Sequence, residues 1–180
     1  MTLIYPGSFD PITAGHMDIV RRAARFASTI IVAVLDNPDK KPLFSVEERC
    51  SFIKDAVVWR QISASEKGEC ADIKTDSFSG LLTEYAKMNN AHAILRGLRT
   101  SEDFERENKY AASNSALSRA FHGEEMETIF LPATPALTFV SSTIIREVAA
   151  HIYAQNLDDT FIAELVPPTA RAALRKVFER

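Results

Sequence analysis

Cysteine is scarce in this chain: Cys50 and Cys70 are the only two in 180 residues. Two thiols make neither a disulfide framework nor a metal-ligand cluster, which excludes a cross-linked secreted scaffold and makes a reducing cytosol the expected home. Long apolar runs are missing too. No segment approaches membrane-spanning length, and no positively charged start leads into an apolar export signal. Charge of one sign is also lacking. A formal net charge of -3 gives no general attraction to nucleic acid or to an anionic membrane, so any anion must be held by a local basic cluster. The chain is 46% hydrophobic and 25% charged, without a disorder signature and with ample material for one core.

What is present is organised around Tyr5-Pro6-Gly7-Ser8-Phe9-Asp10-Pro11-Ile12-Thr13-Ala14-Gly15-His16. Thr2-Leu3-Ile4-Tyr5 is a short apolar run of the kind a buried parallel strand shows, and beyond the stretch the period turns helical. Val20, Ala23, Ala24 and Ala27 fall at i, i+3, i+4 and i+7, while Asp18, Arg21, Arg22 and Arg25 repeat that spacing on the opposite side. The loop between them reads as a phosphate-handling turn. Gly7 can bring backbone close to a ligand, and Pro6 and Pro11 stiffen the loop. Gly15 and His16 sit at the helix start, where unpaired N–H groups favour an anion. Asp10 suits two roles equally, a turn residue bonding loop N–H groups or a direct ligand.

Strand and helix signals then alternate. Thr29–Leu35 is a central strand, followed by a loop with Lys40 and Lys41 at its carboxyl end, the side where open α/β sheets bind ligands. Ser45 and Glu48 form a capping box for a helix with Val46, Cys50, Ile53 and Val57 in its stripe; Cys50 is assigned to packing. Trp59 to Thr75 has poor periodicity and reads as loop. Asp76-Ser77 caps a predicted helix carrying Phe78, Leu81, Leu82, Tyr85 and Ala86. Ala91–Leu95 is a strand running into Arg96-Gly97-Leu98-Arg99, whose guanidinium groups can grip phosphate oxygens in a two-pronged way. The helix through Tyr110, Leu117 and Phe121 reads as scaffold or subunit interface. Thr128–Leu131 is a last strand, and Ser141-Ser142-Thr143 opens a helix as N-cap or as anion site. That helix is expected to end near His151, and Pro167-Pro168-Thr169 introduces a terminal helix with Ala170, Ala173, Leu174 and Val177 inward. The alternation predicts one α/β domain over 1–180, doubly wound and Rossmann-like, with a parallel sheet.

Four stretches together resemble the phosphopantetheine adenylyltransferases, a family within the nucleotidyltransferases that carry a (T/H)xGH motif. They are Gly7–Pro11 with Thr13-x-Gly15-His16, Lys40–Arg49, Arg96–Glu107, and the Ser-Ser-x-x-x-Arg-Glu pattern of Ser141–Glu147. The resemblance implies transfer of AMP from ATP to phosphopantetheine, giving dephospho-coenzyme A and pyrophosphate, with Mg2+ accompanying the nucleotide. It implies His16 as the catalytic residue, and Ser8, Lys40, Leu82 and Arg96 as contacts to phosphopantetheine. ATP would meet Ser8, Phe9, His16, Gly97, Leu98, Arg99, Glu107, Leu137, Thr138, Phe139, Val140, Ser141, Ser142 and Thr143. A homohexamer in the cytoplasm is implied as well. Leu82 also suits plain packing, and Glu107 a solvated helix face.

Two residues depart from the family's pattern. Arg106 stands where a tyrosine is usual, and either adds a phosphate contact or points to solvent; Leu137 stands where an aromatic is common, with fewer ring contacts to adenosine. A relative acting on nicotinate mononucleotide is the nearest rival, opposed by Thr13, where such relatives usually carry a histidine, and by the Arg96–Glu107 block. A nucleotide-binding regulator without turnover is the rival from another class.

Overall fold

The computed structural model describes residues 1–37, 41–60 and 71–179. Strands β1 (Thr2–Gly7), β2 (Thr29–Leu35), β3 (Asp72–Phe78), β4 (Ala93–Leu98) and β5 (Glu127–Pro132) form one sheet in the order β3-β2-β1-β4-β5. Every neighbouring pair is parallel, so each connection must cross over, and helices make the crossings. These are α1 (Ala14–Ala23), α2 (Val46–Trp59), α3 (Leu82–Met88) and α4 (Ser101–His122). A 3-10 turn (Pro135–Leu137) follows β5, then α5 (Ser142–Ala154), α6 (Thr160–Leu165) and α7 (Pro168–Phe178). This is the Rossmann-like α/β architecture that the alternation predicts.

Side chains alternate across the sheet with period two. Leu3 and Tyr5 enter a large core shared with α1, α2, α5, α6 and α7, while Ile4 enters a smaller one with Ile31, Ala33, Ile94 and the α3 residues Tyr85 and Ala86. Burial on both faces is why β1 and β2 read as unbroken apolar runs. From β1 the sheet grows to one side through β2 and β3, then to the other through β4 and β5. The loops after β1 and β4 therefore diverge and leave a crevice at the carboxyl ends of these two strands.

Several expected boundaries move. β3 begins within the stretch read as loop, whose residues 61–70 lie outside the described residues, and runs through Asp76 and Ser77, read as a helix cap, to Phe78, its last residue rather than part of a helix. Gly80, at φ 83, turns the chain, and α3 starts at Leu82. Phe78 and Tyr85 nevertheless meet, their rings stacked at 4.5 Å, so the apparent helical stripe records a strand end packing on a helix. β4 extends to Leu98 and takes Arg96 and Gly97 into the strand; α5 continues past His151 to Ala154. Helix α6 lies in a stretch where no helix was expected, and Val177 is 47% exposed rather than inward. On α1, Asp18 is buried and not on the solvent side. It accepts from Arg21 (2.7 Å), Arg22 (3.4 Å) and Thr134 Oγ1 (2.6 Å), which ties α1 to the loop after β5.

The C-terminal helices are locked by one buried carboxylate. Asp159 accepts from the Tyr153 hydroxyl (3.0 Å), Arg171 Nε (2.7 Å) and Arg175 Nη2 (3.1 Å), with Arg171 Nη2 on its second oxygen. The Arg171 hydrogen bond leads the causes that hold this carboxyl at a pKa of about 2.

Candidate active site

The loop between β1 and α1 is shaped by a phenylalanine. Phe9 has a left-handed backbone (φ 46), and its buried ring folds back over the end of β1. A Cβ on Gly7 would lie 2.8 Å from Phe9 Cζ, so the ring itself favours glycine there, at a position that also lines the cleft described below. The Asp10–Pro11 peptide is cis. Asp10 is buried, and its carboxylate accepts the backbone N–H groups of Leu43 (2.9 Å) and Phe44 (3.0 Å) while Arg146 donates to its carbonyl. Of its two roles, the loop-bonding one is the one realised. Arg49, 2% exposed, donates to the carbonyls of Ser8 (3.0 Å) and Leu35 (3.5 Å), joining the same loop to β2.

Thr13 caps α1, and His16 occupies the third helical position, where a capping box usually has a glutamate. The Thr13 N–H donates to His16 Nδ1 at 3.1 Å, and Thr13 Oγ1 lies 2.9 Å from the same atom. An amide N–H can only donate, so Nδ1 holds the lone pair and the neutral ring carries its proton on Nε2. Phe9 packs edge-on against the imidazole at 5.2 Å. Burial first, and then the charges of Arg99 and Arg96, push the His16 pKa down to about 4. The ring is thus a neutral N–H donor at ordinary pH.

Protonation of His16 should cost stability on acidification. The unfolded imidazole takes up a proton below about 6.5, the folded one only below about 4, so the unfolded state binds more protons in between. Stability from this group is full above pH 6.5 and is lost as the pH falls toward 4, by at most about 3 kcal/mol. Urea melts at pH 7 and 4.5 should show this loss in the wild type and its absence in His16→Gln; equal slopes in both would contradict it.

The other wall comes from the end of β4 and the start of α4. Arg96 donates through Nε to Glu107 (2.6 Å) and through Nη1 to the Pro6 carbonyl (2.7 Å). Glu107 is 6% exposed, so it is not a solvated helix residue. Arg99 donates from Nε (2.9 Å) and from its backbone N–H (3.2 Å) to Asp103, and Arg106 reaches the other Asp103 oxygen at 2.5 Å. Burial raises the Asp103 pKa, but the hydrogen bonds and charges of the two arginines outweigh it and the net shift is downward. Arg106 also stands 3.6 Å from Glu107. It makes carboxylate contacts rather than pointing idly to solvent. Gly97 is the close approach between these arginines, since a Cβ there would sit 3.1 Å from Ile19 Cγ1.

The third wall is the start of α5. Ser141 is its N-cap, accepting the Ile144 N–H at 3.2 Å, and Ser142 donates its hydroxyl to the Pro11 carbonyl at 2.7 Å. The hydroxyls are therefore used as caps and ties. What the helix end still offers are the first-turn N–H groups, which have no partner within the helix.

These walls enclose a cleft of about 740 Å3. Of the expected site residues, Ser8, Phe9, His16, Leu82, Arg96, Gly97, Arg99, Glu107, Leu137, Val140, Ser141, Ser142 and Thr143 line it. Leu98, Thr138 and Phe139 do not. Phe139 is 49% exposed and stacks on Phe161 at 6.3 Å instead. Leu82 both lines the cleft and packs on the smaller core. Lys40 lies outside the described residues. Asp103 and Arg49 were not singled out from sequence, although an acid three residues after Thr100 at a helix start is a readable cap signal. Among the described residues no group of three His, Cys, Asp or Glu converges to hold a metal. Also among them, no helix is long and apolar enough to cross a membrane.

A cytidylyltransferase-like family model matches residues 4–148, which contain all three walls. Among solved structures, nicotinic acid mononucleotide adenylyltransferase of Plasmodium falciparum, complexed with NaAD, superposes with a TM-score of 0.62 at 17% identity, over 98% of this chain and 95% of that one. A bifunctional NMN adenylyltransferase/ADP ribose pyrophosphatase of Francisella tularensis gives a TM-score of 0.54 at 14% identity, covering 83% of this chain and 42% of that one. At these identities the likeness is one of fold.

Proposed function

Because the chain belongs to the cytidylyltransferase-like family, we propose that it is an adenylyltransferase moving AMP from ATP to phosphopantetheine, with dephospho-coenzyme A and pyrophosphate as products. The observation that carries this reading is a convergence on one cleft. His16 of the first motif faces Arg96, Gly97, Arg99 and Glu107, which belong to the stretch that best separates phosphopantetheine adenylyltransferases from their relatives.

In this reading a phosphate oxygen of phosphopantetheine attacks the α-phosphorus of ATP. The bond from that phosphorus to its bridging oxygen breaks, and pyrophosphate leaves with the electron pair. The attacker is already an anion near neutral pH, so no side chain has to remove a proton. The task left to the protein is alignment and charge stabilisation. Arg96, with Lys40, holds the acceptor phosphate, and Leu82 lies along the pantetheine arm. His16 Nε2–H, Arg99 and the α5 N–H groups oppose the charge that gathers on the α-phosphate. The 137–143 segment and Glu107 serve the nucleotide. Mg2+ belongs to the same proposal as a companion of the triphosphate, as do a homohexamer and a cytoplasmic setting.

Pyrophosphate release from Mg-ATP, measured with phosphopantetheine, with nicotinate mononucleotide and without acceptor, tests the reading. Release that requires phosphopantetheine is expected. Release with nicotinate mononucleotide alone would transfer to this chain the acceptor named for the Plasmodium structure, and ATP binding without any release would leave a regulator.

A further inference from the structure

Among the described residues lining the cleft, the ionised side chains are Arg96, Arg99, Arg106, Asp103 and Glu107. Three cations face two buried carboxylates, and His16 is neutral at ordinary pH. Arg96 and Arg99, the two on the strand end and closest to the first loop, are spent on those carboxylates: Arg96 on Glu107 at 2.6 Å and Arg99 on Asp103 at 2.9 Å. An anion that turns either arginine toward itself weakens or breaks the bond to its acid. A buried carboxylate stripped of its partner is a large penalty, which would oppose binding.

Arg106 alone touches both acids, at 2.5 Å from Asp103 and 3.6 Å from Glu107. We propose that Arg106 is a positioning residue that acts as a standing counter-ion for Asp103 and Glu107, so that Arg99 and Arg96 can exchange a carboxylate for a substrate phosphate without leaving a buried charge unpaired. Arg106 need not touch the substrate. Its side chain is 54% exposed, which keeps it hydrated and mobile enough to follow either carboxylate as the other arginines turn away. It also carries the one positive charge by which the described lining exceeds neutrality. The inference rests on the adenylyl-transfer reading for the identity of the anions, and on the pairing geometry for everything else.

The test compares wild type, Arg106→Gln, Arg106→Lys, Asp103→Asn and the double variant Arg106→Gln/Asp103→Asn, each checked for folding by its melting temperature. Calorimetric binding of inorganic pyrophosphate and the KM for ATP are read together. Arg106→Gln should weaken both about fivefold, the effect of losing a half-exposed ion pair, while kcat stays within about twofold. Arg106→Lys should recover most of the loss. In the Asp103→Asn background, where one acid no longer needs a counter-ion, the Arg106→Gln effect should shrink to below about twofold. An unreduced effect in that background would mean that Arg106 meets the phosphate itself, and no effect in either background would remove its role; both overturn the proposal. If the wild type turned over no acceptor, the function would be wrong, yet pyrophosphate binding would still decide the counter-ion role.

Discussion

Replacing His16 with alanine should lower kcat by two to three orders of magnitude while ATP binding changes less than about threefold. The expectation follows from the proposed reaction, in which the donor faces the α-phosphate. A neutral Nε2–H meets ground-state phosphate weakly but grows in value as charge gathers at the α-phosphate, and loss of one such donor typically removes about 3 kcal/mol of transition-state stabilisation. The structure makes His16 suited to this because the Thr13 N–H at 3.1 Å fixes the tautomer, and burial first, then the charges of Arg99 and Arg96, keep the ring unprotonated. Turnover under single-cycle conditions and calorimetric ATP affinity separate the two effects. Equal losses in both would make His16 an ordinary binding group. With its pKa near 4, His16 should also contribute no inflection to the rate above pH 6.

The second large effect is on stability. Asp159→Ala should destabilise the protein by about 1 to 3 kcal/mol, because it leaves the buried Tyr153 hydroxyl without its acceptor and removes the partner of two half-exposed arginines. For a chain of this length that is a drop in Tm of about 5 °C. Calorimetry would read it, and a change within about 2 °C would show the hub to be dispensable. Turnover at low temperature should survive, since Asp159 holds the C-terminal helices together and does not line the cleft. The same carboxylate should make the protein acid-sensitive in a defined window. Its contribution is complete above the unfolded value near 3.8 and is lost as the pH falls toward the folded value of about 2.

The strands and the loop between them were legible where burial is two-sided. β1 and β2 are covered on both faces, so their apolar runs announced themselves, and glycine, proline and histidine marked the loop between them. β3 was not legible because it is a sheet edge: Asp72, Lys74 and Asp76 leave only Ile73 and Phe78 to speak for it, and a half-exposed strand of that composition reads as loop. Helix α6 is only six residues long and has little periodicity to show. Within the site, residue types were readable but partners were not. The serine hydroxyls at α5 bond the helix and the Pro11 carbonyl, and Arg96 and Arg99 hold acids. Such pairings depend on which loops meet, and sequence spacing does not encode that meeting. Asp18 misled for the same reason: its neighbour Thr134 lies 116 residues away.

The first loop is finished by very distant parts of the chain. Its Pro6 carbonyl waits for Arg96, its Pro11 carbonyl for Ser142, and its Asp10 carbonyl for Arg146. During synthesis, then, the earliest residues of the motif leave the ribosome long before the groups that give them shape. A nascent chain stopped short of residue 140 can own every strand and still hold no formed cleft. The wall supplied by α5, and the ties it gives the first loop, are thus the last parts of the site to be synthesised.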